Sequence, residues 1–277
     1  MTGPGIMGLW RRFKRNPEAP LLGAFVALFF TFMLAPILIV VVVAFNDANF
    51  IAFPLRGYSL RWFYRIVEYR PFLDSFIVSL ELAFASTFLA CVLGVPASLA
   101  LVRGRSRHAD AIATFLLSPL SMPLIVLGLA FLFYLSALGL GVSFLSLLIS
   151  HTVVGLPYIM RTVAGVYRGV STDFEETASI LGANRLQIFW YITLPLIRPG
   201  IFAGALFAIL ISFDNLPISF FFGSATTNTL PVVMLSYIEH QFDPSIAALS
   251  AVQMLLAVVA LLVVERIYGL KHMSAPT

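Results

Sequence analysis

Charged residues are scarce in this chain of 277 residues. Aspartate, glutamate, lysine and arginine make up 11% of the sequence, whereas a soluble domain carries about 25%. Hydrophobic residues reach 60%, and the net charge is only +4. This balance excludes an ordinary soluble globular domain and indicates a polytopic membrane protein, whose solvent is the bilayer.

Cysteine and lysine are rarer still, and their scarcity excludes several kinds of site. Cys91 is the only cysteine, so neither an intrachain disulfide nor a cysteine metal cluster can form. The only lysines, Lys14 and Lys271, follow no glycine-rich turn, so the phosphate-binding G-x-x-x-x-G-K-[ST] loop is missing. A G-x-S-x-G nucleophile turn is missing too. We therefore expect no enzymatic site, no metal and no cofactor within this polypeptide.

The histidines do not form a metal-binding pattern. They are His108, His151, His240 and His272. None has the spacing of a ligand motif such as H-E-x-x-H. For His151, which lies within an apolar run, we favour a hydrogen-bonded packing role over a ligand role.

Six apolar runs are long enough to cross a bilayer, which takes about 20 helical residues each. They cover residues 21–45, 74–102, 111–137, 142–162, 195–222 and 245–268. The first run exceeds the roughly 7–15 residues of a signal-peptide core, so it is predicted to be a retained span. Six spans predict an all-α fold with both termini on the same side of the membrane.

Basic residues are concentrated on the side of the termini. Thirteen of the seventeen lysines and arginines fall there: Arg11, Arg12, Lys14, Arg15, Arg103, Arg105, Arg107, Arg161, Arg168, Arg185, Arg198, Arg266 and Lys271. The other four, of which Arg56 is the first, share the first outer loop with three acidic residues. The positive-inside rule therefore predicts cytoplasmic termini. Anionic lipid suffices as the partner of these charges, so no nucleic-acid partner is expected.

A polar stretch, residues 171–195, interrupts the apolar sequence. It predicts two short helices meeting at a turn, the first capped by Thr172 with Glu175 three residues on and ended by Gly182 in a left-handed conformation. Asn184 and Gln187 repeat the capping spacing for the second helix. Two apolar faces follow from the helical period, namely Phe174, Ala178 and Leu181 on the first helix and Leu186, Phe189 and Trp190 on the second.

The motif Glu176-Thr177-Ala178, three residues, Gly182, nine residues, Ile192-x-Leu194-Pro195 resembles the cytoplasmic "EAA" loop of the membrane subunits of binding-protein-dependent ABC importers. Thr177 departs from the pattern, since the family usually has alanine there. In that family the loop is a coupling helix seated in a groove of the ATPase subunit, so we call residues 171–195 the coupling segment. The resemblance implies that coupling rests on Phe174, Glu175, Glu176, Thr177, Ala178, Leu181, Gly182, Ala183, Arg185, Leu194 and Pro195.

The same resemblance implies a type I importer permease fold, six transmembrane helices with a cytoplasmic coupling hairpin, in a bacterial inner membrane. It also implies partners: two ATPase subunits that hold ATP and Mg²⁺, a homologous permease subunit, and a periplasmic or extracellular solute-binding protein. We expect residues 72–268 to form the permease core domain. Residues 1–71 would contain a cytoplasmic tail, the first span and an outer interfacial segment, and residues 269–277 a cytoplasmic tail.

The stretch from Ser212 to Phe221, with Thr229-Leu230-Pro231 and Asp243-Pro244 beyond it, is similar to the second permease subunit of spermidine/putrescine importers. This branch pairs two different permeases, so a heterodimer is implied. Relatives of the branch also carry iron, thiamine, opines or other amino-acid derivatives, and aminophosphonates. Polyamine is therefore the first substrate expectation, with these solutes as alternatives.

Two acidic residues fall within predicted spans, where ionisable groups are costly and often functional. Asp214 precedes Asn215 and Pro217, which predicts a broken helix with a carboxylate beside it. Asp214 and Asn215 are candidates for the translocation path; alternatively, Asp214 caps the restarted helix or pairs with a neighbouring subunit. Glu81 is a further path candidate; alternatively, it lies close enough to the interface to be solvated.

An outer segment at residues 59–68 has the pattern of a helix lying in the membrane interface. Trp62, Phe63, Ile66 and Val67 share one helical face, which favours membrane anchoring. A second hypothesis assigns this region to docking of the binding protein through bidentate arginine contacts. The candidates for that contact are Arg61, Arg65, Arg70, Thr229 and Pro231.

Two other functional classes are compatible with the sequence. A secondary transporter driven by an ion gradient would use an intramembrane acid as a relay, and Asp214 is the residue that suggests it. A membrane scaffold without transport activity is the second alternative.

Overall fold

The computed structural model describes residues 19–50, 55, 57–104, 107–224 and 226–268. The two tails that we expect to be cytoplasmic, residues 1–18 and 269–277, lie outside the described residues, as do Arg56 and Arg105. Within the described residues the secondary structure is helical, apart from one isolated bridge between Asn46 and Tyr58. The all-α prediction is confirmed.

The α-helices follow one another along the chain as α1 (Ala19–Ala44), α2 (Arg61–Glu68), α3 (Arg70–Arg103), α4 (Ala109–Leu117), α5 (Leu124–Ala137), α6 (Phe144–Arg168), α7 (Asp173–Ile180), α8 (Arg185–Ile188), α9 (Leu194–Phe213), α10 (Leu216–Ser219), α11 (Leu230–His240) and α12 (Ser245–Tyr268). Short 3₁₀ turns cover Ser118–Ser121 and Phe220–Phe222, and a π-helical turn covers Phe189–Thr193.

Among the described residues, five helical segments are long and apolar enough to span a membrane, and a bent pair makes a sixth span if its two helices are counted together. The bent pair consists of residues 109–121 and α5, and the chain bends by 108° between them. The span predicted over residues 111–137 therefore consists of two helices joined at a bend rather than one continuous helix. Pro119 and Pro123 explain the bend, because neither can donate a backbone hydrogen bond and Met122 between them is extended.

The fifth span also differs from its predicted bounds of 195–222. A continuous helical run extends from Arg185 to Phe213, so the second helix of the expected hairpin is the beginning of the span rather than a separate helix. The π-helical turn ahead of Pro195 makes this continuity possible, because a wider turn relieves the clash of the proline ring with the carbonyl four residues before it. The span ends early because the helix breaks at Asp214 and Asn215.

The described residues form two compact units. The residues up to Arg65, with Phe242–Val252, form the first unit, and those from Ile66 to Gln241, with residues from Gln253 onward, form the second. In the first unit, Trp62 is buried and its indole N–H donates to the carbonyl of Asn46 at 2.7 Å. This contact ties α2 to the chain that follows α1.

The second unit contains two apolar clusters formed mainly by α3, α6 and their neighbours. One cluster comprises Leu82, Leu127, Leu135, Leu147, Val154, Ile218 and Phe222. The other comprises Ala90, Val95, Ile159, Val163, Tyr167, Ile197 and Ala208. Small residues let the backbones approach, as at Gly204 of α9, where an added Cβ would lie 3.0 Å from the Ile159 Cα of α6.

Candidate functional site

The coupling segment begins with α7 and turns at a left-handed glycine. Gly182 has a φ of +89°, which confirms the predicted conformation. The Asn184 side chain accepts from the backbone N–H of Gln187 at 2.9 Å, and the Gln187 side chain accepts from that of Asn184 at 2.8 Å. The predicted capping box is therefore confirmed.

The predicted cap of the first helix was wrong. Thr172 already has helical backbone angles, and its side chain makes no cap hydrogen bond. Instead, the hydroxyl of Ser171 accepts from the backbone N–H of Asp173 at 3.2 Å. The carboxylate expected to complete the capping box, that of Glu175, is occupied elsewhere.

Glu175 points inward and receives two hydroxyl donors. The Tyr167 hydroxyl at the end of α6 donates to its Oε1 at 2.8 Å, and the Thr193 hydroxyl in the π-helical turn donates to the same oxygen at 2.6 Å. The guanidinium Nε of Arg103, at the end of α3, lies 3.7 Å from Oε2. One carboxylate thus joins α7 to the ends of α3 and α6 and to the beginning of the fifth span.

Arg103 adds further links to the same cluster. Its Nη2 donates to the carbonyl of Val170 at 2.7 Å, and its guanidinium lies over the Tyr167 ring at 4.7 Å. Sequence reasoning counted Arg103 only as a positive charge and did not single out Tyr167 or Thr193. These contacts arise from tertiary packing between distant positions, so no local pattern signals them.

The opposite side of the coupling segment is exposed and apolar. Phe174, Leu181 and Leu186 are 56%, 82% and 69% exposed, whereas Ala178 is buried. The predicted coupling residues divide in the same way. Exposed are Phe174, Glu176, Thr177, Leu181, Gly182, Arg185 and Pro195, and buried or half-buried are Glu175, Ala178, Ala183 and Leu194. Exposed apolar side chains with a fixed backbone behind them are typical of a protein docking surface.

The helix break in the fifth span lies at Asp214 and Asn215, as predicted. Asn215 is buried, and its side-chain oxygen accepts from the backbone N–H of Ile218 at 3.1 Å. Asn215 therefore caps the restarted helix, and the alternative that Asp214 caps it was wrong. The side chain of Asp214 is exposed at the corner. Glu81 is also exposed, three turns into α3 between the exposed apolar side chains of Ile77 and Phe84.

His151 is buried, at 1% exposure, and both of its ring nitrogens contact serine hydroxyls. The expected hydrogen-bonded packing role is confirmed.

A cavity of about 390 Å³ lies between α3, α4 and α6. Arg161 lines it together with Arg168, Ser98 and Ser121, and this site was not singled out from the sequence.

The outer candidates for binding-protein contact fall into two groups. Thr229 and Pro231 are buried, so their assignment as contact residues is corrected: they start α11, whose first N–H, on Leu230, donates to the Ser79 hydroxyl at 2.8 Å. Arg65 and Arg70 are exposed.

Arg61 is engaged within the chain. Its Nη2 donates to Asn49 Oδ1 at 2.6 Å, its Nε lies 3.8 Å from Asp47, and its guanidinium lies over the Trp62 ring. Trp62 is buried, so the predicted apolar face of α2 does not lie wholly in the membrane interface.

Comparison with known proteins gives consistent results. Residues 90–270 match the family described as "Binding-protein-dependent transport system inner membrane component". The chain is 31% identical over 228 residues to the putrescine transport system permease protein PotI of Escherichia coli K12, covering 80% of this chain and 81% of the relative. It is 32% identical over 234 residues to the molybdenum transport system permease protein ModB of Mycobacterium tuberculosis H37Rv, with 78% and 87% covered.

A further relative is the spermidine/putrescine transport system permease protein PotC of Haemophilus influenzae, 28% identical over 249 residues with 90% of this chain and 96% of the relative covered. Among solved structures, a bacterial alginate ABC transporter in complex with a periplasmic protein bound to alginate pentasaccharide has a similar chain. The TM-score is 0.72 at 18% identity, with 97% and 99% covered. This likeness supports the type I importer permease fold.

These results also decide between the classes that the sequence left open, in favour of the importer over an ion-gradient carrier or a scaffold. The chain belongs to the binding-protein-dependent transport system inner membrane component family, as a multi-pass permease subunit of an ABC importer.

Proposed function

We propose that this chain is one membrane subunit of a bacterial importer of polyamines such as spermidine and putrescine, driven by ATP hydrolysis on partner subunits. The coupling segment carries the proposal. Its exposed apolar face suits a groove in an ATPase subunit, while Glu175 ties its inner face to three spans. A link of this kind is rigid, and movement of the docked face is passed to the spans rather than dissipated.

The proposed assembly contains two ATPase subunits that hold ATP and Mg²⁺, a second, different permease chain and a solute-binding protein on the opposite side of the membrane. The coupling segment and both termini then face the cytoplasm. This chain contributes no catalytic residue. Closure of the ATPase subunits presses on the coupling segment and switches the spans between outward and inward access.

The proposed substrate class is supported by similarity to PotI and PotC, whose names give putrescine and spermidine. It is also supported by the exposed carboxylate of Asp214 at the helix break, because an acidic side chain beside broken helix suits a cationic solute. Opines or other amino-acid derivatives, aminophosphonates, thiamine and iron are the alternative solutes within the same importer class.

A small oxyanion is a second candidate, for a specific structural reason. Arg161 and Arg168 line the cavity between α3, α4 and α6, and arginine binds oxyanions with paired hydrogen bonds. Similarity to the molybdenum permease ModB supports the same candidate.

The experiment is a solute panel with the complete complex in liposomes, its binding protein included. The ATPase rate is measured with spermidine, putrescine, thiamine, ferric iron, an aminophosphonate and molybdate. Stimulation by spermidine or putrescine alone is the expected result. Stimulation by molybdate alone would overturn the polyamine assignment in favour of the oxyanion, and stimulation by none of these solutes would overturn both substrate candidates.

A further inference from the structure

The break in the fifth span is bridged by a single buried side chain from α6. The Nδ1 of His151 lies 2.8 Å from the hydroxyl of Ser212, just before the break, and its Nε2 lies 3.1 Å from the hydroxyl of Ser219, at the end of α10. Ser212 and Ser219 are 5% and 1% exposed. The imidazole thus contacts the helix on both sides of Asp214 and Asn215.

The hydrogen bonds continue from Ser212 to α3. The Ser212 hydroxyl lies 3.1 Å from that of Ser86, whose own hydroxyl donates to the carbonyl of Ala83 at 3.3 Å. Ser86 is 1% exposed. Three helices that pack together, α3, α6 and α9, are therefore linked at the break by polar contacts away from water.

The helix α10 also packs closely against α5. A Cβ added to Gly128 would lie 3.1 Å from the Ile218 Cα and 3.1 Å from the carbonyl oxygen of Pro217. Glycine at this position lets the two backbones approach without the displacement that a side chain would require. The short helix α10 thus contacts both Gly128 of α5 and His151 of α6.

Counting protons assigns the tautomer of His151. A neutral imidazole has one N–H donor and one acceptor nitrogen, and each serine hydroxyl has one proton. If Nδ1 carries the proton, it donates to Ser212, Ser212 donates to Ser86, Ser86 donates to Ala83, and Ser219 donates to Nε2. All four contacts are then made at once. If Nε2 carries the proton, Ser86 must donate to Ser212, and its bond to Ala83 is lost.

We propose that His151, as the Nδ1–H tautomer, is a positioning residue that holds the two sides of the broken fifth span and so sets the place of the Asp214 carboxylate. The part of this inference that concerns solute rests on the proposed function, in which the corner at Asp214 lines the path. The brace itself rests on the contacts of His151 alone. If His151 is replaced, α10 keeps only the cap by Asn215 and the contact with Gly128 among the interactions described above.

The test uses the complete complex in liposomes. His151→Phe keeps an aromatic ring and removes both contacts, whereas His151→Asn reaches only toward Ser212 and His151→Gln only toward Ser219. For the solute that the panel identifies, we expect the KM of uptake to rise about tenfold in His151→Phe with a smaller change in kcat, because lost buried hydrogen bonds displace the corner. The Asn and Gln variants should fall between.

Ser150→Ala is the matched control, because Ser150 is equally buried on α6 but bonds only to the carbonyl of Ser146 in its own helix. Its KM should stay within twofold of the unaltered complex. Equal KM values in His151→Phe and in Ser150→Ala would overturn the positioning role.

A second measurement needs no solute. Nitrogen-15 NMR of the complex with labelled histidine should show His151 as a neutral ring protonated at Nδ1, assigned by the signals lost in His151→Gln. A ring protonated only at Nε2 would overturn the proposed Nδ1–H tautomer, because Ser212 would then have to donate to Nδ1. If the unaltered complex transports none of the solutes, the proposed function fails, while this spectrum still tests His151.

Discussion

Glu175 of the coupling segment lies 3.7 Å from Arg103 at the end of α3, measured from the carboxylate Oε2 to the guanidinium Nε. The side chains are only 19% and 28% exposed, so solvent screens the pair less than it would screen a surface ion pair. The Nε of Arg103 is buried and has no hydrogen-bond acceptor, so the contact is electrostatic. The negative charge of Glu175 therefore stabilises the position of Arg103, and Arg103 in turn helps to hold the coupling segment against α3.

A double-mutant cycle tests this dependence. Glu175→Gln and Arg103→Gln should each lower the thermal stability of the purified complex, and the double variant should lose less than the sum. We expect a coupling free energy of about 1 kcal/mol, since the pair is half-buried and shares Tyr167. Asp173→Asn, an exposed acid in the same helix, is the control. Strictly additive losses would show that the pair does not interact.

Gly182→Ala should weaken the turn through backbone strain alone. Open space surrounds the position of an added Cβ, but the φ of +89° is unfavourable for any L side chain. We expect a local cost of about 1–2 kcal/mol and reduced stimulation of the ATPase by the binding protein. Gly165→Ala in α6, which also has open space but lies within a helix, should have no such effect. Equal behaviour of the two variants would contradict the argument.

Glu176→Lys should uncouple ATP hydrolysis from transport while leaving membrane insertion intact. Glu176 is exposed in the first turn of α7, where a negative charge favours the helix and a positive one does not. The readout is uptake per ATP hydrolysed, with the amount of assembled complex as the control. A normal ratio would remove Glu176 from the docking surface.

Asp214→Asn and Arg161→Gln separate the two substrate classes. If the solute is a polyamine, Asp214→Asn should raise the KM of uptake about tenfold and Arg161→Gln should change it little, because a single charged contact is worth about one power of ten. If the solute is an oxyanion, the order should reverse. Asp110→Asn, which removes an exposed carboxylate in the first turn of α4, is the control.

Arg70→Glu should weaken docking of the binding protein several-fold at low salt and less at high salt, as expected for exposed charges. Arg61→Gln is expected to change docking less, because Arg61 already contacts Asp47 and Asn49. Affinity of the binding protein for the complex, measured at two salt concentrations, checks both variants. Equal effects at both concentrations would argue against electrostatic docking through Arg70.

Local chemistry made much of the fold predictable. The apolar runs, the left-handed Gly182 and the capping box of Asn184 and Gln187 depend on neighbouring residues, and each is present in the structure. Pro119 and Pro123 signal the bend in the third span, but hydropathy alone does not reveal it because both prolines lie within an apolar run.

The contacts that complete the site were not predictable in this way. Glu175 satisfies the spacing of a capping box, yet its carboxylate bonds to Tyr167 and Thr193 instead, and these partners meet only after the spans pack. The burial of Thr229 and the two contacts of His151 have the same origin. A sequence pattern shows which hydrogen bonds a side chain can form with its neighbours along the chain. The partners of these residues are far away in the sequence and come close only when the helices pack.

The role of Glu175 in coupling is measured by the number of solute molecules imported per ATP hydrolysed by the complete complex carrying Glu175→Ala. Loss of this carboxylate separates the coupling segment from Arg103, Tyr167 and Thr193 but leaves the exposed docking face in place. We expect ATP hydrolysis to continue while uptake per ATP falls at least about tenfold. An unchanged ratio in a fully assembled complex would contradict the claim that Glu175 transmits movement from the ATPase subunits to the spans.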